Sequence, residues 1–201
     1  MAGIRREGMR GRPRAFDESK FLDGAIALFS GAGYTGVGIS DLTEATGLTT
    51  GSIYKAYQDK EGVFARALER YIALGDARVA ALLEPEPDAR ARIAALLRLY
   101  VSLSQGRDGR LGCLVVTGMT GLDQVGRAGD LLRSQLSARR RMLAALIAEG
   151  QRDGSLGTGV DPRSSADVLL ALLQGMRVMG KAGTLTEDSD AFISQALKIL
   201  D

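Results

Sequence analysis

Hydrophobic residues recur with helical spacing along nearly all of the chain. A first helix is predicted between Asp17 and Gly31, and its apolar stripe consists of Phe21, Ala25, Leu28 and Phe29. A second helix is predicted from Ile39 to Thr46, with Ile39, Leu42 and Ala45 as its buried positions. Gly47 ends it, and Thr49 is placed to cap a third short helix.

The same spacing continues to the end of the sequence. A fourth helix is predicted from Lys60 until the prolines 85 and 87 stop it. Five further helices are predicted at about residues 88–104, 111–120, 123–151, 162–181 and 187–200, separated by glycine-bearing turns. No segment alternates polar and apolar residues as strands do. The sequence therefore predicts an all-α protein of about nine helices.

Composition narrows the functions that this helical protein can have. The chain has 201 residues, one cysteine and no histidine, so an internal disulfide and a thiolate metal cluster are excluded. We expect no metal and no cofactor, and enzyme chemistry is disfavoured because the commonest general base is missing. No apolar run reaches the roughly 20 residues that a membrane span needs. We expect a cytoplasmic protein.

Positive charge is concentrated at the amino terminus, although the formal net charge is only +2. Five arginines precede residue 15 and only Glu7 opposes them; they are Arg5, Arg6, Arg10, Arg12 and Arg14. The sequence predicts a basic arm ahead of the folded part. Such an arm either contacts a DNA backbone or is a tail without a role.

The segment GLTTGSIYKAY, residues 47–57, has the composition of a DNA-contacting helix. A helix amino terminus presents unpaired amide groups that bind phosphate, and Gly51 has no side chain that would keep a DNA backbone away. Hydroxyl and ammonium groups follow it in the sequence. Within this helix and just beyond it, the predicted DNA-binding residues are Thr49, Thr50, Gly51, Ser52, Tyr54, Lys55, Tyr57 and Lys60. The alternative is a solvated polar face on an ordinary short helix.

The order of residues around this segment closely resembles the DNA-binding domain of the TetR/AcrR (tetracycline-repressor) family of transcriptional regulators. The matching features are Gly33-Tyr34, Ile39, Leu42, Ala45-x-Gly47-Leu48, Gly51-x-Ile53-Tyr54, and Lys60-Glu61 followed by Phe64. The resemblance covers roughly residues 14 to 70. Gly38 stands where the family usually has Ser or Thr, and Ala56 and Tyr57 stand where His and Phe are frequent. These departures concern operator preference.

The resemblance implies an organisation and a function. Residues 1–14 would be the arm, 15–60 a helix-turn-helix DNA-binding domain, 60–84 a linking fourth helix, and 85–201 a regulatory and dimerisation domain. It implies a homodimeric repressor that binds a palindromic double-stranded DNA operator and is released by a small-molecule inducer. The last two helices, 162–181 and 187–200, would form the dimer interface. Burial of their apolar residues within one chain is the alternative.

The inducer site would lie among the middle helices. Its predicted lining is Tyr100, Cys113, Val116, Met119, Met142, Gln174 and Met176. Because this set has flexible methionines and lacks an aromatic cage, a neutral, apolar or chemically reactive ligand is favoured. Three consecutive arginines, 139 to 141, cannot all face one partner on a helix, so we expect a solvated face with one inward or interfacial arginine.

Two other functions remain open from the sequence. The amino-terminal helices could bind a protein or RNA in place of duplex DNA, without operator specificity. Alternatively, Cys113 could make the protein a thiol-based sensor of oxidants or electrophiles, because the glycine-flanked segment LGCLVVTGM follows the basic residues Arg107 and Arg110. The competing interpretation is that Cys113 is a small buried hydrophobic residue.

Overall fold

The computed structural model describes residues 17–185 and 188–201, and these residues form helices joined by short turns. Ten α-helices and a final 3-10 turn follow one another, with no strand among the described residues. The helices are α1 Glu18–Ala32, α2 Ile39–Thr46, α3 Thr50–Tyr57, α4 Lys60–Leu83, α5 Ala89–Leu103, α6 Gly106–Leu111, α7 Leu114–Thr120, α8 Ala128–Asp153, α9 Pro162–Ala182 and α10 Ser189–Leu197. The predicted all-α class is confirmed.

Side-chain caps at the amino termini explain why most of these helices begin where they do. In six cases a carboxylate or hydroxyl accepts a hydrogen bond from the backbone amide three residues further on. The capping residues are Asp17, Thr49, Asp59, Asp88, Asp161 and Asp188. Each stands directly before its helix in the sequence.

The helix boundaries differ from the predicted ones between residues 105 and 128. The segment GRDGR, which lies in the predicted turn between the helices 88–104 and 111–120, forms α6 together with Leu111, and Gly112, at φ 96°, separates this helix from α7. The predicted helix 123–151 starts later, at Ala128, since Gly126 has a φ of 53° and holds a turn. After α10 the chain ends in a 3-10 turn, Lys198–Leu200.

A first core joins the amino-terminal helices to the middle of the chain. Phe29 and Phe64 meet edge to face, with ring centroids 5.1 Å apart, and both are fully buried. Leu114 of α7 and Leu132 of α8 belong to the same core. In α2, Leu42 is buried as predicted, but Ala45 is exposed because this short helix turns that position to solvent.

A second core lies between α5, α8 and α9. Leu169, Leu173 and Met176 of α9 are buried within the chain, each about 1% exposed. Packing within one chain thus explains the apolar residues on the inner face of α9. Among the described residues, no helix has the length and apolar character of a membrane span, and no cluster of acidic or cysteine side chains could hold a metal ion.

Candidate DNA interface and ligand cavity

Helices α2 and α3 are joined by a tight turn with a left-handed glycine. Gly47 has φ 72° and ψ 9°, a conformation that favours glycine. Thr49 then begins α3, because its hydroxyl accepts the amide of Ser52 at 3.3 Å and lies 2.9 Å from the hydroxyl of Ser52. Thr49 and Ser52, both predicted to contact DNA, therefore also stabilise the start of α3 through these contacts.

The first turns of α3 face solvent. Thr50, Gly51, Ser52 and Lys55 are exposed, and Tyr54 is 49% exposed although it is a large aromatic residue. A Cβ atom added at Gly51 would meet no heavy atom within 4 Å, so nothing inside the protein requires glycine there. A close approach by a ligand backbone is a reason for glycine that this surface permits.

Tyr57 does not belong to this exposed face, and its prediction as a DNA-contacting residue is wrong. The residue is 5% exposed and its ring stacks on Phe21 at a centroid distance of 5.0 Å. The helical period places Tyr57 one turn after Ile53, which is fully buried, so both residues face the core. Burial, and then the nearby negative charge of Glu18, raises the pKa of Tyr57 to about 12.

Lys60 is half-buried and makes contacts inside the chain. Its ammonium donates to the carbonyl oxygen of Tyr34 at 3.1 Å and lies 4.3 Å from the centroid of the Tyr34 ring. The predicted contact of Lys60 with phosphate stays a prediction. Because Lys60 is the first residue of α4, its contacts with Tyr34 also attach the start of this helix to the segment before α2. Arg12 and Arg14 of the predicted arm lie outside the described residues.

A cavity of about 330 Å³ lies between α4, α5, α8 and α9. Most of its lining is apolar, with residues such as Ile72, Leu99 and Leu136. Three of the predicted lining residues border it, namely Tyr100, Cys113 and Gln174. The helical period of the sequence indicated that these residues face inward. It could not show which inward-facing residues border a cavity between the helices.

The other predicted lining residues pack elsewhere. Val116 and Met119 lie against the first core, while Met142 and Met176 lie in or against the second, and none of the four borders this cavity. The sequence interpretation missed Tyr71 and the arginines 78, 139 and 177. One signal was available for Arg139: it is 9% exposed, whereas its neighbours Arg140 and Arg141 face solvent, as the helical angle requires.

Cys113 is a buried free thiol at the wall of this cavity. The phenol of Tyr71 donates to its sulfur at 3.4 Å. Burial raises the pKa of Tyr71, and the neighbouring cysteine adds to that rise, so the phenol keeps its proton and remains a donor. The thiol therefore has a fixed hydrogen-bond donor beside it.

Helix α9 connects the cavity to the amino-terminal helices. Arg177, which lines the cavity, donates to the carbonyl oxygen of Gly112 at 2.8 Å. One turn later, Lys181 donates to the carbonyl oxygens of Ser30 and Gly31 at the end of α1, each at 2.8 Å. Carbonyl groups in the last turn of a helix lack partners within the helix, so this ammonium caps α1.

The outer face of α9 is apolar and exposed. Val168, Val178 and Met179 are 49%, 54% and 44% exposed. Half-buried Leu172 and Gly175 lie between them on the same side of the helix. A contiguous exposed apolar face of this kind is typical of an interface with another protein.

Comparison with known proteins relates both halves of the chain to one family. Residues 21–67 match the family described as bacterial regulatory proteins, tetR family, and residues 89–195 match the Tetracyclin repressor-like, C-terminal domain. The HTH-type transcriptional repressor ComR of Escherichia coli (strain K12) is 29% identical over 180 residues, which are 89% of this chain and 86% of ComR. NemR, an HTH-type transcriptional repressor of the same strain, is 26% identical over 173 residues, 84% of this chain and 85% of NemR.

A solved structure has a similar fold over most of this chain. It is a cysteine mutant of the TetR family transcriptional regulator CifR complexed with 26-base-pair double-strand operator DNA. The match has 31% sequence identity and a TM-score of 0.84, and it covers 95% of this chain and all of the CifR chain. The solvent-facing α3, the two matching family regions and this likeness agree, and the chain belongs to the tetR family of bacterial regulatory proteins as a helix-turn-helix transcriptional regulator.

Proposed function

We propose that the protein represses transcription by binding a palindromic operator as a homodimer, and that a small molecule in the cavity releases it. The observation that carries this proposal is the exposed amino end of α3, where Thr50, Gly51 and Ser52 face solvent and a Cβ added at Gly51 would meet no atom of the described residues within 4 Å. Tyr54 and Lys55 add a phenol and an ammonium group beside them. Such a surface suits phosphates and base edges of duplex DNA.

The contacts divide into two groups. Ser52, Tyr54 and Lys60 would bind phosphate, whereas Thr50 and Lys55 would read base edges. The basic arm with Arg12 and Arg14 would add contacts along the backbone or in the minor groove. Removal of the phosphate-directed donors should weaken binding to every sequence, while changes at Thr50 and Lys55 should alter operator preference.

The test is a gel-shift titration with a palindrome from beside the gene, repeated at several salt concentrations with excess nonspecific DNA. Specific binding by wild type that is lost in a Thr50→Ala, Lys55→Ala double variant supports the repressor function. Binding of wild type that competitor DNA abolishes completely would contradict it and favour the alternative of a helical protein- or RNA-interaction module.

The homodimer would form through the exposed face of α9, packed with α10 against the same helices of a second copy. Val168 and Met179 lie on this face and are about half exposed in the single chain. A Val168→Glu, Met179→Glu double variant should run as a monomer in light scattering and lose cooperative operator binding. Ala81→Glu, at an exposed position of α4, is the control and should stay dimeric. A double variant that remains dimeric would contradict this interface.

The inducer would be a small molecule with a largely apolar body, because most of the cavity wall is apolar. Tyr100, Cys113 and Gln174 supply the polar or reactive groups that we predicted at this site. Occupation of the cavity would shift α4 relative to α9 and change the distance between the two recognition helices of the dimer. We assign the protein no enzymatic reaction, and we place its action in the cytoplasm, where the operator is.

Reaction at Cys113 is a second route of release, favoured by its position at the cavity wall beside the Tyr71 phenol. Among the similar structures, CifR was solved as a cysteine mutant and NemR in a reduced form. In the test, wild type and Cys113→Ser are treated with a thiol-reactive alkylator before operator binding is measured. Release of wild type alone supports the thiol route. Retention of wild type, or equal release of both, excludes it.

A further inference from the structure

The polar groups of the cavity carry an excess of positive charge. The charged residues of its lining are one carboxylate, Asp23, and three guanidinium groups, those of Arg78, Arg139 and Arg177. Asp23 is already bound by Arg70, through contacts of 2.8 and 3.1 Å between the two planar groups. The carboxylate that faces the cavity is thus neutralised from outside the cavity.

Two of the three lining guanidinium groups are deeply buried, and they differ in their partners. Arg139 forms an ion pair with Asp76 at 2.8 Å. Arg177 is 4% exposed and has no acidic partner in residues 17–185 or 188–201. Its hydrogen bonds go to neutral acceptors, the carbonyl oxygen of Gly112 at 2.8 Å and the hydroxyl of Ser104 at 3.4 Å. Burying a cation without a counter-charge is costly, so such a site favours an anion.

Neutral donors lie close to these two arginines. Tyr100 and Gln174 line the cavity, and within the part of the chain that the structure describes neither side chain has a hydrogen-bond partner. Tyr100, Arg139 and Arg177 line the same cavity. Burial raises the pKa of Tyr100, and the positive charges of Arg139 and Arg177 partly oppose that rise. A phenol, an amide and a charged group that converge in an apolar cavity define a polar end for a ligand.

We propose that this cavity binds small monocarboxylates, with the carboxylate held by Arg177 and by the donors of Tyr100 and Gln174 and the apolar body held against the aliphatic wall. The proposal rests on the assignment of the cavity as the inducer site, and it replaces the sequence-based expectation of a neutral ligand. A guanidinium can bind a carboxylate through two parallel hydrogen bonds, whereas an amide of the same shape offers one acceptor oxygen and no negative charge and should bind more weakly.

Matched acids and amides test the charge preference directly. The probes are hexanoate with hexanamide and 4-phenylbutyrate with 4-phenylbutyramide, titrated into the full-length protein while thermal unfolding and calorimetric heats are recorded. We expect at least one acid to bind about tenfold or more tightly than its amide. Equal or tighter binding of the amides, or no binding of either acid, would overturn the proposal.

Variants assign the preference to Arg177. Arg177→Met should reduce the difference between acid and amide to about twofold, and Tyr100→Phe should weaken acid binding several-fold. Tyr100→Phe keeps the aromatic ring and leaves the guanidinium of Arg177 in place. It therefore tests the site even if loss of Arg177 prevents folding. Arg140→Met, an exposed position on α8, should match wild type. A preference for acids that survives in folded Arg177→Met and in Tyr100→Phe would contradict the assigned residues.

Operator binding, measured on the same preparations, separates this proposal from the repressor function. Specific operator binding together with no preference for acids shows that the ligand class is wrong while the regulator function stands. A preference for acids without specific operator binding shows that the ligand class is right while the repressor function is wrong. If both hold, the bound acid should lower operator affinity in wild type and have about tenfold less effect, at equal concentration, in Arg177→Met.

Discussion

The ring of Tyr57 stacks on the ring of Phe21, with centroids 5.0 Å apart and an angle of 13° between the planes. This contact holds the last residue of α3 against α1. Ile53 is fully buried one turn earlier, so α3 is fixed along one side by two residues. The opposite side, with Tyr54 and Lys55, is thereby turned to solvent.

Two tyrosines on one short helix should therefore respond differently to loss of the hydroxyl. Tyr54→Phe removes an exposed phosphate-directed donor and should weaken operator binding about threefold to tenfold. Tyr57→Phe removes a hydroxyl that is turned inward, and operator affinity should stay within about twofold of wild type. Fluorescence anisotropy at fixed salt measures both. Equal losses in the two variants would contradict this division of α3.

Tyr57 should also make the free energy of unfolding depend on alkaline pH. Its pKa of about 12 in the folded protein exceeds the value of about 10 in an unfolded chain. Between these values the unfolded state has lost the phenolic proton and the folded state retains it, so stability falls as pH rises. Below about pH 9 this contribution is constant, since both states are protonated.

Tyr57→Phe removes that contribution. Its free energy of unfolding in urea should fall less than that of wild type between pH 9 and pH 11.5, and the two should run parallel between pH 7 and pH 9. The buried hydroxyl has no hydrogen bond of good geometry, although Glu18 is near, so the change at pH 7 should be within about 1 kcal/mol. Parallel curves over the whole range would contradict the raised pKa.

Helix positions could be predicted from the sequence because they depend on local signals. Asp17, Asp59 and Asp88 stand directly before apolar stripes and cap the helices that follow. Where glycines are dense, local signals conflict, and the break at Gly112 depends on packing: a Cβ there would lie 2.9 Å from the carbonyl oxygen of Ser30. That contact joins residues far apart in the sequence, which periodicity does not encode.

The cavity was harder to predict than the DNA-facing helix. Exposure on α3 follows from the helical period once Ile53 is taken as the inward residue, and the same rule would have shown that Tyr57 is buried. A cavity is space that several helices leave between them, so the identity of its wall depends on their relative positions. Met142, Met176 and Tyr100 all contribute to the second core, yet of these three only Tyr100 borders the cavity.

Gly51 offers a test in which stability and DNA affinity should change in opposite directions. Gly51→Ala places a methyl group in open space and favours the helical backbone, so stability should be unchanged or rise by up to about 1 kcal/mol. Operator affinity should fall by about tenfold because the methyl group separates α3 from the DNA backbone. Thermal unfolding and anisotropy measure the two effects.

Gly75→Ala is the matched control for Gly51→Ala. Gly75 lies in the exposed middle of α4, and an added Cβ there also meets nothing within 4 Å. Because Gly75 borders the cavity, the comparison is made without an added ligand. The stability of Gly75→Ala should be unchanged or rise, as for Gly51→Ala, and its operator affinity should match that of wild type. Wild-type affinity in Gly51→Ala would mean that DNA does not approach this position.

A comparison of Lys60→Ala with Lys55→Ala distinguishes a lysine that stabilises the fold from one that acts only through contact with DNA. Lys60→Ala removes the charged donor from the Tyr34 carbonyl and the contact with its ring, so unfolding should require about 1–2 kcal/mol less. Lys55→Ala, at an exposed position, should change stability by less than about 0.5 kcal/mol. Each should lower the salt dependence of operator binding by about one unit if its ammonium meets a phosphate. An unchanged slope in Lys60→Ala would show that its role is internal.

Lys181 links the helix that carries Arg177 to the end of the first helix. Its ammonium donates to the carbonyl oxygens of both Ser30 and Gly31. The hydroxyl of Thr117 also donates to the Ser30 carbonyl oxygen, at the longer distance of 3.4 Å. Lys181→Met keeps the aliphatic length and removes the donor, so the carbonyls return to water. Because the side chain is partly exposed, the free energy of unfolding should fall by only about 1 kcal/mol.

Loss of this link should affect operator binding more than stability. A dimer reads two half-sites at a fixed spacing, so a looser attachment of α1 to α9 would broaden the range of spacings between the two copies of α3. We expect operator affinity of Lys181→Met to fall about fivefold or more at a temperature where the variant is fully folded. Lys198→Met, an exposed lysine near the carboxyl end, should change neither property. Wild-type operator affinity in folded Lys181→Met would mean that the position of α1 is set by the first core alone.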